Sequence, residues 1–150
     1  MKIALACDHG AVEYKEIAKQ MIVEMGHEVE DFGTHTHDSM DYPDTAGEAA
    51  KSVACGKNDR GIVFCSTGIG VSIVANKVKG IRCALVHDTV SAKLTREHND
   101  TNVLAIGQLT TGVAIMKEIV KIWIETEFSN DERHVRRIQK VMRFEDENIA

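Results

Sequence analysis

The segment from Cys65 to Gly70, CSTGIG, combines a thiol with two glycines directly after an apolar run. The glycines allow backbone N–H groups to converge on an oxyanion or a phosphate. Cys65 stands at the mouth of this loop, where the start of a helix makes a thiolate available as a base or nucleophile. A cysteine in such a place is, on its own, more often a small core residue. The neighbouring loop is what favours a catalytic interpretation.

This loop differs from the common nucleotide and phosphatase loops. It lacks the GxxxxGK[ST] pattern of a P-loop, and Gly68 and Gly70 are not followed by the third glycine of a dinucleotide fingerprint. A cysteine phosphatase needs an arginine near the end of its anion loop, but apolar and hydroxyl side chains occupy residues 71–73. We therefore expect neither nucleotide binding nor phosphatase chemistry.

Polar side chains elsewhere offer complementary chemistry. Asp8 and His9 follow another apolar run, and adjacent acid and imidazole groups suit hydrogen bonding to a polyol and control of its proton transfers. His98 precedes a further apolar run, although a lone histidine is more often a surface or capping group. Arg133 and Arg137, four residues apart, share a helix face and suit an anion.

The charge of the C-terminal segment does not decide between two interpretations of these arginines. Residues 131–143 carry five Lys or Arg against two acids, a net charge of +3, whereas the whole chain has a net charge of −5. Such a segment is either a solvated helix face or an anion site.

Metal binding is disfavoured. The histidines and acids at positions 35, 37, 38 and 41 resemble a metal cluster, but they fall in a loop without ligands at matching spacing elsewhere. The chain has four cysteines without CxxC spacing: Cys7, Cys55, Cys65 and Cys83. We expect reduced thiols and no metal site.

Short strand-like runs alternate with helix-length segments along the chain. The predicted strands are Lys2–Cys7, His27–Phe32, Gly61–Cys65, Ile81–Val86 and Asn102–Ile106. The predicted helices are Ala11–Met25, Asp44–Cys55, Gly70–Lys77, Thr89–Glu97 and Thr111–Phe128, followed by a terminal helix capped by Ser129 or Asn130. The alternation predicts an α/β fold, a Rossmann-like doubly wound sheet of five parallel strands with a C-terminal helical extension.

Two consequences follow from this predicted sheet. The polar run His27–Phe32 is expected at an edge, because the other four runs are apolar enough to be covered on both faces. Ligands of parallel sheets bind beyond the carboxyl ends of the strands. The loops after the first and third strands, which begin near Asp8 and Cys65, are therefore expected to form the site.

Length and composition limit the class of protein. The 150 residues, 43% of them hydrophobic and 27% charged, suit one globular domain covering residues 1–150. The negative net charge disfavours nucleic-acid binding. The longest charge-free stretch, residues 61–76, is too short and polar to cross a membrane. The N-terminal residues lack a signal-peptide pattern, so we expect the cytoplasm.

Several segments, in the same order, closely resemble the type B ribose-5-phosphate isomerases. They are Cys7–Gly10, Asp41–Pro43, Gly61–Gly70, Ala75–Lys77, Arg96–Leu104 and Arg133–His134. The resemblance spans almost the whole chain. It implies an aldose–ketose isomerase that acts on a phosphosugar through a cis-enediolate, on a Rossmann-like fold without metal or cofactor. Ribose 5-phosphate is the favoured substrate, but galactose-6-phosphate isomerase subunits share the family, so galactose 6-phosphate and allose 6-phosphate stay open.

The resemblance also implies roles for the groups that carry the chemistry. Cys65 would be the base that removes the proton next to the carbonyl. The backbone anion hole for the enediolate would run from Ser66 through Gly70, five residues that include Gly68 and Ile69. Donors fixed before the charge develops favour the transition state over the ground state. His98 with Thr67 would open the furanose ring, because the cyclic sugar has no free carbonyl.

The remaining groups would bind the substrate. The resemblance implies that Asp8 and Asn99 hold sugar hydroxyls, while the phosphate end is held by His9, Arg133 and Arg137. Members of this family bring residues from two chains into each site. A homodimer, or a dimer of dimers, is therefore implied.

The chain departs from the family pattern at two positions. Ser66 stands where the family usually has glycine, so a glycine-only φ there would conflict with this sequence. Leu109 stands where the family commonly supplies a further phosphate-binding arginine, and Arg136 is the candidate substitute. One other class stays open, a flavodoxin-like module that binds a phosphosugar without turning it over. A structural α/β domain without a small ligand is disfavoured by the loops at the strand ends.

Overall fold

The computed structural model describes residues 1–147, which form five strands and six helices. The strands are β1 (Lys2–Cys7), β2 (Glu28–Asp31), β3 (Arg60–Cys65), β4 (Cys83–Leu85) and β5 (Val103–Gly107). The helices are α1 (Val12–Glu24), α2 (Tyr42–Ala54), α3 (Ile69–Ala75), α4 (Thr89–Asn99), α5 (Val113–Glu125) and α6 (Glu132–Glu147). Every predicted element is present, with ends that differ by a few residues.

The strands form one parallel sheet in the order β2-β1-β3-β5-β4. This confirms the predicted α/β fold and the edge position of the polar strand β2. Strand β4 was predicted within Ile81–Val86, but its position at the second edge was not, because its sequence suggested cover on both faces. Its three residues are only half-buried, because β4 has a neighbouring strand on one side only.

Helices cover both faces of the sheet. One core layer places Trp123 and Met116 of α5 against Phe64 and Leu104 of the sheet. The other packs an alanine-rich side of α2 against β1 and β3. Fully burying a large apolar side chain contributes about 1.5–3 kcal/mol. Met116, Val120 and Trp123 form a buried stripe on α5, whereas Val113 at the first turn of the helix is 43% exposed.

The switch point of the topology lies between β1 and β3. The chain leaves β1 through α1 towards β2 on one side, whereas it leaves β3 through α3 towards β4 on the other. Ligand crevices of open parallel sheets lie at this point. The Asp8 N–H donates to the Phe64 carbonyl at 3.2 Å, so the loops after both strands start side by side. We call the edge of the sheet where strands end the carboxyl edge, and the opposite one the amino edge.

The terminal helix α6 starts later than the predicted cap residues imply. Asp131 directly precedes the helix, and its Oδ1 accepts from the Arg133 N–H at 3.4 Å. The prediction that Ser129 or Asn130 caps the helix was wrong, because Asn130 adopts a φ of 55° and Ser129 accepts from the Asp131 N–H instead. No helix within residues 1–147 combines the length and apolar character that a membrane crossing requires.

Candidate active site

The loop after β3 is built around Gly68. Its φ of +77° is one that side-chain-bearing residues rarely adopt, and a Cβ there would lie 2.9 Å from the Ile106 carbonyl carbon. In this conformation the Gly68 N–H donates to the Cys65 Sγ at 3.0 Å. This backbone donor fixes the position of the sulfur at the start of the loop. The glycine therefore places Cys65 where it can act as a base.

The same loop offers unused donors. Within residues 1–147, the backbone N–H groups of Ser66, Thr67 and Gly70 have no hydrogen-bond acceptor. The Ile69 N–H, by contrast, donates to the Thr67 Oγ1 at 3.3 Å, and that of Gly68 is taken by the sulfur. Of the five predicted members of the anion hole, three therefore keep backbone N–H groups that the described residues do not engage.

The loop after β5 holds this anion-binding loop in place. The Gln108 N–H donates to the Cys65 carbonyl at 3.0 Å, and the Leu109 N–H to the Ser66 carbonyl at 2.9 Å. A Cβ on Gly107 would collide with the backbone of Thr67, so glycine is needed for the two loops to approach. Leu109 is 77% exposed, so it puts an apolar side chain at the rim where a cation was expected from the family.

Asp8 and His9 border the same crevice. The Asp8 carboxylate is largely buried, and its Oδ1 accepts from the Gly10 N–H at 2.9 Å. The His9 Nδ1 accepts from the Met40 N–H at 3.2 Å. A neutral His9 therefore carries its proton on Nε2, which is free to donate to an anion. Ser66 packs over Gly10 and does not have a positive φ, so serine fits this position without strain.

Tyr42 lies beside the anion-binding loop, and the sequence predicted no role for it. Its ring packs on Gly70, where a Cβ would lie 2.8 Å from the ring carbon Cζ. Tyr42 starts α2, and Pro43 after it fixes the first turn of that helix. Pro43 was the signal in the sequence that could have predicted a helix start, and therefore a fixed backbone position, at Tyr42.

A second group of predicted site residues lies at the amino edge. His98 and Asn99 end α4, which runs antiparallel to the strands, and Arg137 lies on α6. Together with His134 they line a cavity of about 520 Å³ beside the start of β4. Arg133, one turn before Arg137, is exposed and pairs with Asp131 at 3.3 Å.

His98 and His134 form a ring pair within this cavity. Their ring centroids are 4.3 Å apart and the planes are inclined by 38°. His134 is almost fully buried, and its Nδ1 lies 2.8 Å from the Ser129 Oγ. Burial, and then the repulsion of a charged His98, lower the pKa of His134 below its usual 6.5. His134 belongs to a segment that resembles the family, Arg133–His134, but no role was predicted for it.

One chain does not bring the two groups together. Cys65, Thr67 and the Asp8 loop lie at the carboxyl edge, while His98, Asn99 and the arginines of α6 lie at the amino edge. In particular, His98 and Thr67, which the resemblance pairs, stand at opposite ends of the sheet. The chemistry assigned to them needs a second copy of the chain or two separate sites.

The group that most resembles a metal site holds an ammonium group. Glu16, Asp31 and His35 bring possible ligand atoms within 4.8 Å of one another. The Lys15 Nζ lies among them, 2.8 Å from both Asp31 oxygens and 3.2 Å from the His35 Nδ1. Because hydrogen bonds to Asp31 and Glu16 outweigh the effect of burial, the pKa of Lys15 is raised. A lysine cation thus occupies the place that a metal ion would take.

Comparison with known sequences assigns the chain to a family. A family model described as ribose/galactose isomerase matches residues 3–141. The Bacillus subtilis (strain 168) protein YwlF is 51% identical over 150 residues, which cover 99% of this chain and 100% of that protein. Ribose-5-phosphate isomerase B of Escherichia coli (strain K12) is 42% identical over 144 residues, 96% of each chain.

Solved structures agree with this assignment. Ribose-5-phosphate isomerase B of Clostridium thermocellum superposes with a TM-score of 0.96 at 42% identity, covering 99% of both chains. The enzyme of Mycoplasma genitalium with bound ribulose 5-phosphate superposes with a TM-score of 0.93 at 35% identity, covering 97% of both. From the model match, the sequence identities and the shared fold, the chain belongs to the ribose/galactose isomerase family.

Proposed function

We propose that the chain interconverts ribose 5-phosphate and ribulose 5-phosphate, with Cys65 as the base. The observation that carries this proposal is the Cys65 sulfur, held by the Gly68 N–H inside a loop with three unused N–H donors at the switch point of the sheet. Relatives named ribose-5-phosphate isomerase B, one of them with bound ribulose 5-phosphate, support this choice of substrate. The reaction places the chain in the pentose phosphate pathway.

The reaction requires one proton to move between two carbons. The Cys65 thiolate takes the proton from C2 of the open aldose. The electron pair of the broken C2–H bond forms the C1–C2 double bond, and negative charge develops on O1. The N–H groups of Ser66, Thr67 and Gly70 stabilise this charge where it develops. The O2 proton then moves to O1, and the thiol returns its proton to C1, which gives the ketose.

We also propose that the active unit is a homodimer with shared sites. One copy supplies the carboxyl-edge groups, including Cys65 and Thr67, and the other supplies the amino-edge groups, including His98 and Arg137. The separation of the two groups within one chain supports this arrangement. In it, the His98 imidazole assists furanose opening, and the arginines of α6 bind the phosphate.

Activity against a panel of aldose phosphates tests the proposed reaction. The panel contains ribose 5-phosphate, allose 6-phosphate, galactose 6-phosphate and erythrose 4-phosphate, each followed for ketose formation. We expect the largest kcat/KM for ribose 5-phosphate. Binding of ribose 5-phosphate without exchange of its C2 proton in D₂O would instead indicate a phosphosugar-binding module.

A second candidate substrate class has support from the family. A relative named galactose-6-phosphate isomerase subunit, from Clostridium acetobutylicum, is 38% identical. One named D-erythrulose-4-phosphate isomerase, from Pectobacterium atrosepticum, is 40% identical. Leu109 is exposed at the position where the family commonly has a phosphate-binding arginine, which favours a phosphate site that differs from the family pattern. A kcat/KM higher for any of the other three aldoses than for ribose 5-phosphate would favour this candidate.

Complementation between inactive chains tests the shared site. One chain carries Cys65→Ala, and its partner carries His98→Asn with Arg137→Ala. A heterodimer then holds one site with every group intact, so an equal mixture should recover about a quarter of the wild-type activity if subunits pair at random. A verified heterodimer without activity contradicts this division of groups between two chains.

A further inference from the structure

Arg82, directly before β4, binds the end of α4. Its Nε donates to the Asn99 carbonyl at 3.1 Å and its Nη2 to the Asp100 carbonyl at 2.7 Å. The last carbonyl groups of a helix lack partners within the helix, and a guanidinium satisfies them while complementing the helix dipole. Arg82 therefore fixes the segment that carries His98 and Asn99.

The residue that ends α4 depends on this contact. Asp100 has a φ of 45°, in the left-handed region that L-residues seldom adopt. Two arginines hold its carboxylate: Arg82 Nη2 lies 3.2 Å from Oδ2, and Arg96 Nη1 lies 2.8 Å from Oδ1. The side chain of Arg82 is 20% exposed and that of Arg96 is 4% exposed. Largely dehydrated guanidinium groups in a fixed geometry hold a chain segment more firmly than surface pairs do.

Arg82 also reaches the helix that faces α4. Its Nη1 lies 3.7 Å from the Sδ of Met142 on α6, the helix that carries His134 and Arg137. The backbone of Arg82 is fixed in turn, because its N–H donates to the Asn102 Oδ1 at 2.8 Å. One side chain therefore contacts both helices that line the amino-edge cavity.

We infer that Arg82 is a positioning residue for the isomerase site, aligning His98 and Asn99 of α4 with the α6 groups opposite them. Nothing in this role requires Arg82 to touch the substrate. The inference rests on the proposed function only in assigning ring opening to His98. Misplacement of a catalytic group by about 1 Å can cost about 10²-fold in rate.

Two substrates separate positioning from general support of the fold. Ribose 5-phosphate must be opened from its furanose form, whereas erythrose 4-phosphate cannot form a furanose because its O4 is esterified. In Arg82→Met, kcat/KM for ribose 5-phosphate should fall at least tenfold, and by at least fivefold more than that for erythrose 4-phosphate. Arg82→Lys keeps the charge and should recover part of this loss. Equal losses on both substrates, or no loss, overturn the inference.

Lys79→Met is the matched control. Lys79 lies three residues before Arg82 and pairs with Asp146 of α6 at 2.7 Å; both side chains are exposed, and within residues 1–147 no hydrogen bond or ion pair joins Lys79 to α4. Exposed pairs contribute little, so both substrates should change less than twofold. If the ratio of kcat/KM for the two sugars changes as much in Lys79→Met as in Arg82→Met, the effect belongs to α6 as a whole. That result would overturn the role of Arg82.

A spectroscopic measurement makes the result independent of turnover. The imidazole Hε1 resonance of His98, assigned by comparison with His98→Asn, should shift in Arg82→Met and stay unchanged in Lys79→Met. An unchanged His98 resonance in folded Arg82→Met contradicts positioning whatever the activity. A shifted resonance in a protein whose wild type isomerises no sugar phosphate would overturn the proposed function and leave the positioning role standing.

Discussion

The two edges of the sheet hold their site residues by different means. At the carboxyl edge, backbone groups make most of these contacts: the loop after β5 donates two main-chain hydrogen bonds, at 2.9 and 3.0 Å, to the end of β3 and its loop, and Gly107 allows the close approach. At the amino edge, side chains hold side chains and helix ends, chiefly through Arg82 and Arg96. The carboxyl edge thus holds the proposed base through main-chain hydrogen bonds, and the amino edge holds its helix ends through charged side chains.

This difference predicts which substitutions impair each edge of the sheet. Because main-chain hydrogen bonds hold the carboxyl edge, we expect it to tolerate most side-chain substitutions except those of Cys65 and of the glycines. A side-chain assembly loses alignment when one charged member is removed, because the remaining polar groups are left without partners. The substitutions below test each half in turn.

Cys65→Ala should have the largest effect. The base is lost while the backbone donors remain, so kcat should fall by about 10²–10⁴-fold and binding of ribose 5-phosphate should survive. Isothermal titration and a coupled ketose assay measure the two quantities. The matched change Cys55→Ala removes an exposed thiol just after α2 and should leave kcat nearly intact. Most of the wild-type activity in folded Cys65→Ala would contradict the assignment.

His98→Asn tests the other half. Turnover of ribose 5-phosphate should fall by about 10²-fold, the lower range for an acid–base group, because ring opening loses its imidazole. Turnover of erythrose 4-phosphate should fall much less. His27→Asn, a histidine next to the opposite edge strand β2, is the control and should change neither. Equal losses on both sugars would assign His98 to the proton transfer or to structure.

The sequence anticipated the carboxyl edge better than the amino edge for a physical reason. Parallel strands place their ends together, so a glycine-rich loop after β3 and the Asp8 loop after β1 were bound to meet once the strand–helix alternation was recognised. No comparable rule brings the end of a helix to a ligand. His98 and Arg137 were predicted only through family resemblance, and His134 and Arg82 received no role at all.

Strand β4 and the α6 cap show the same limit in the fold. Periodicity predicted that β4 is a strand, but edge position depends on the order in which strands pair, which local sequence does not encode. The cap was misplaced because Ser129, Asn130 and Asp131 are all good capping residues in succession. The structure chooses Asp131, since Asn130 takes the left-handed turn before it.

Gly107→Ala tests the close approach of the loops after β3 and β5. The added Cβ would collide with the Thr67 backbone, and such overpacking typically costs about 1–3 kcal/mol. Urea unfolding should show this decrease in the free energy of unfolding. Gly112→Ala is the control: Gly112 is the N-cap of α5, with open space for a Cβ and a φ of −64°, so only the modest cost of alanine at an N-cap is expected and the loss should be smaller than in Gly107→Ala. Equal free energies of unfolding for the two variants would mean that the loops after β3 and β5 can move apart to admit the added Cβ.

The smallest effect concerns pH. Because the pKa of folded His134 lies below 6.5, the unfolded chain binds a proton there before the folded chain does. Stability from this residue is therefore present above about pH 6.5, and it is lost as the pH falls towards the folded pKa. His134→Asn should lose less free energy of unfolding than the wild type between pH 7.5 and 5.5. Equal losses in urea titrations would contradict this contribution.

The strand order has a consequence for synthesis of the chain. β1, β2 and β3 can pair with one another as soon as they leave the ribosome, but β4 pairs only with β5, which follows it in the chain. Until Val103–Gly107 emerges, a nascent polypeptide exposes an open strand edge at β3 and an unpaired β4. Unpaired edges invite association with other chains. A translational pause just before β5 is therefore the moment at which this protein is most exposed to aggregation.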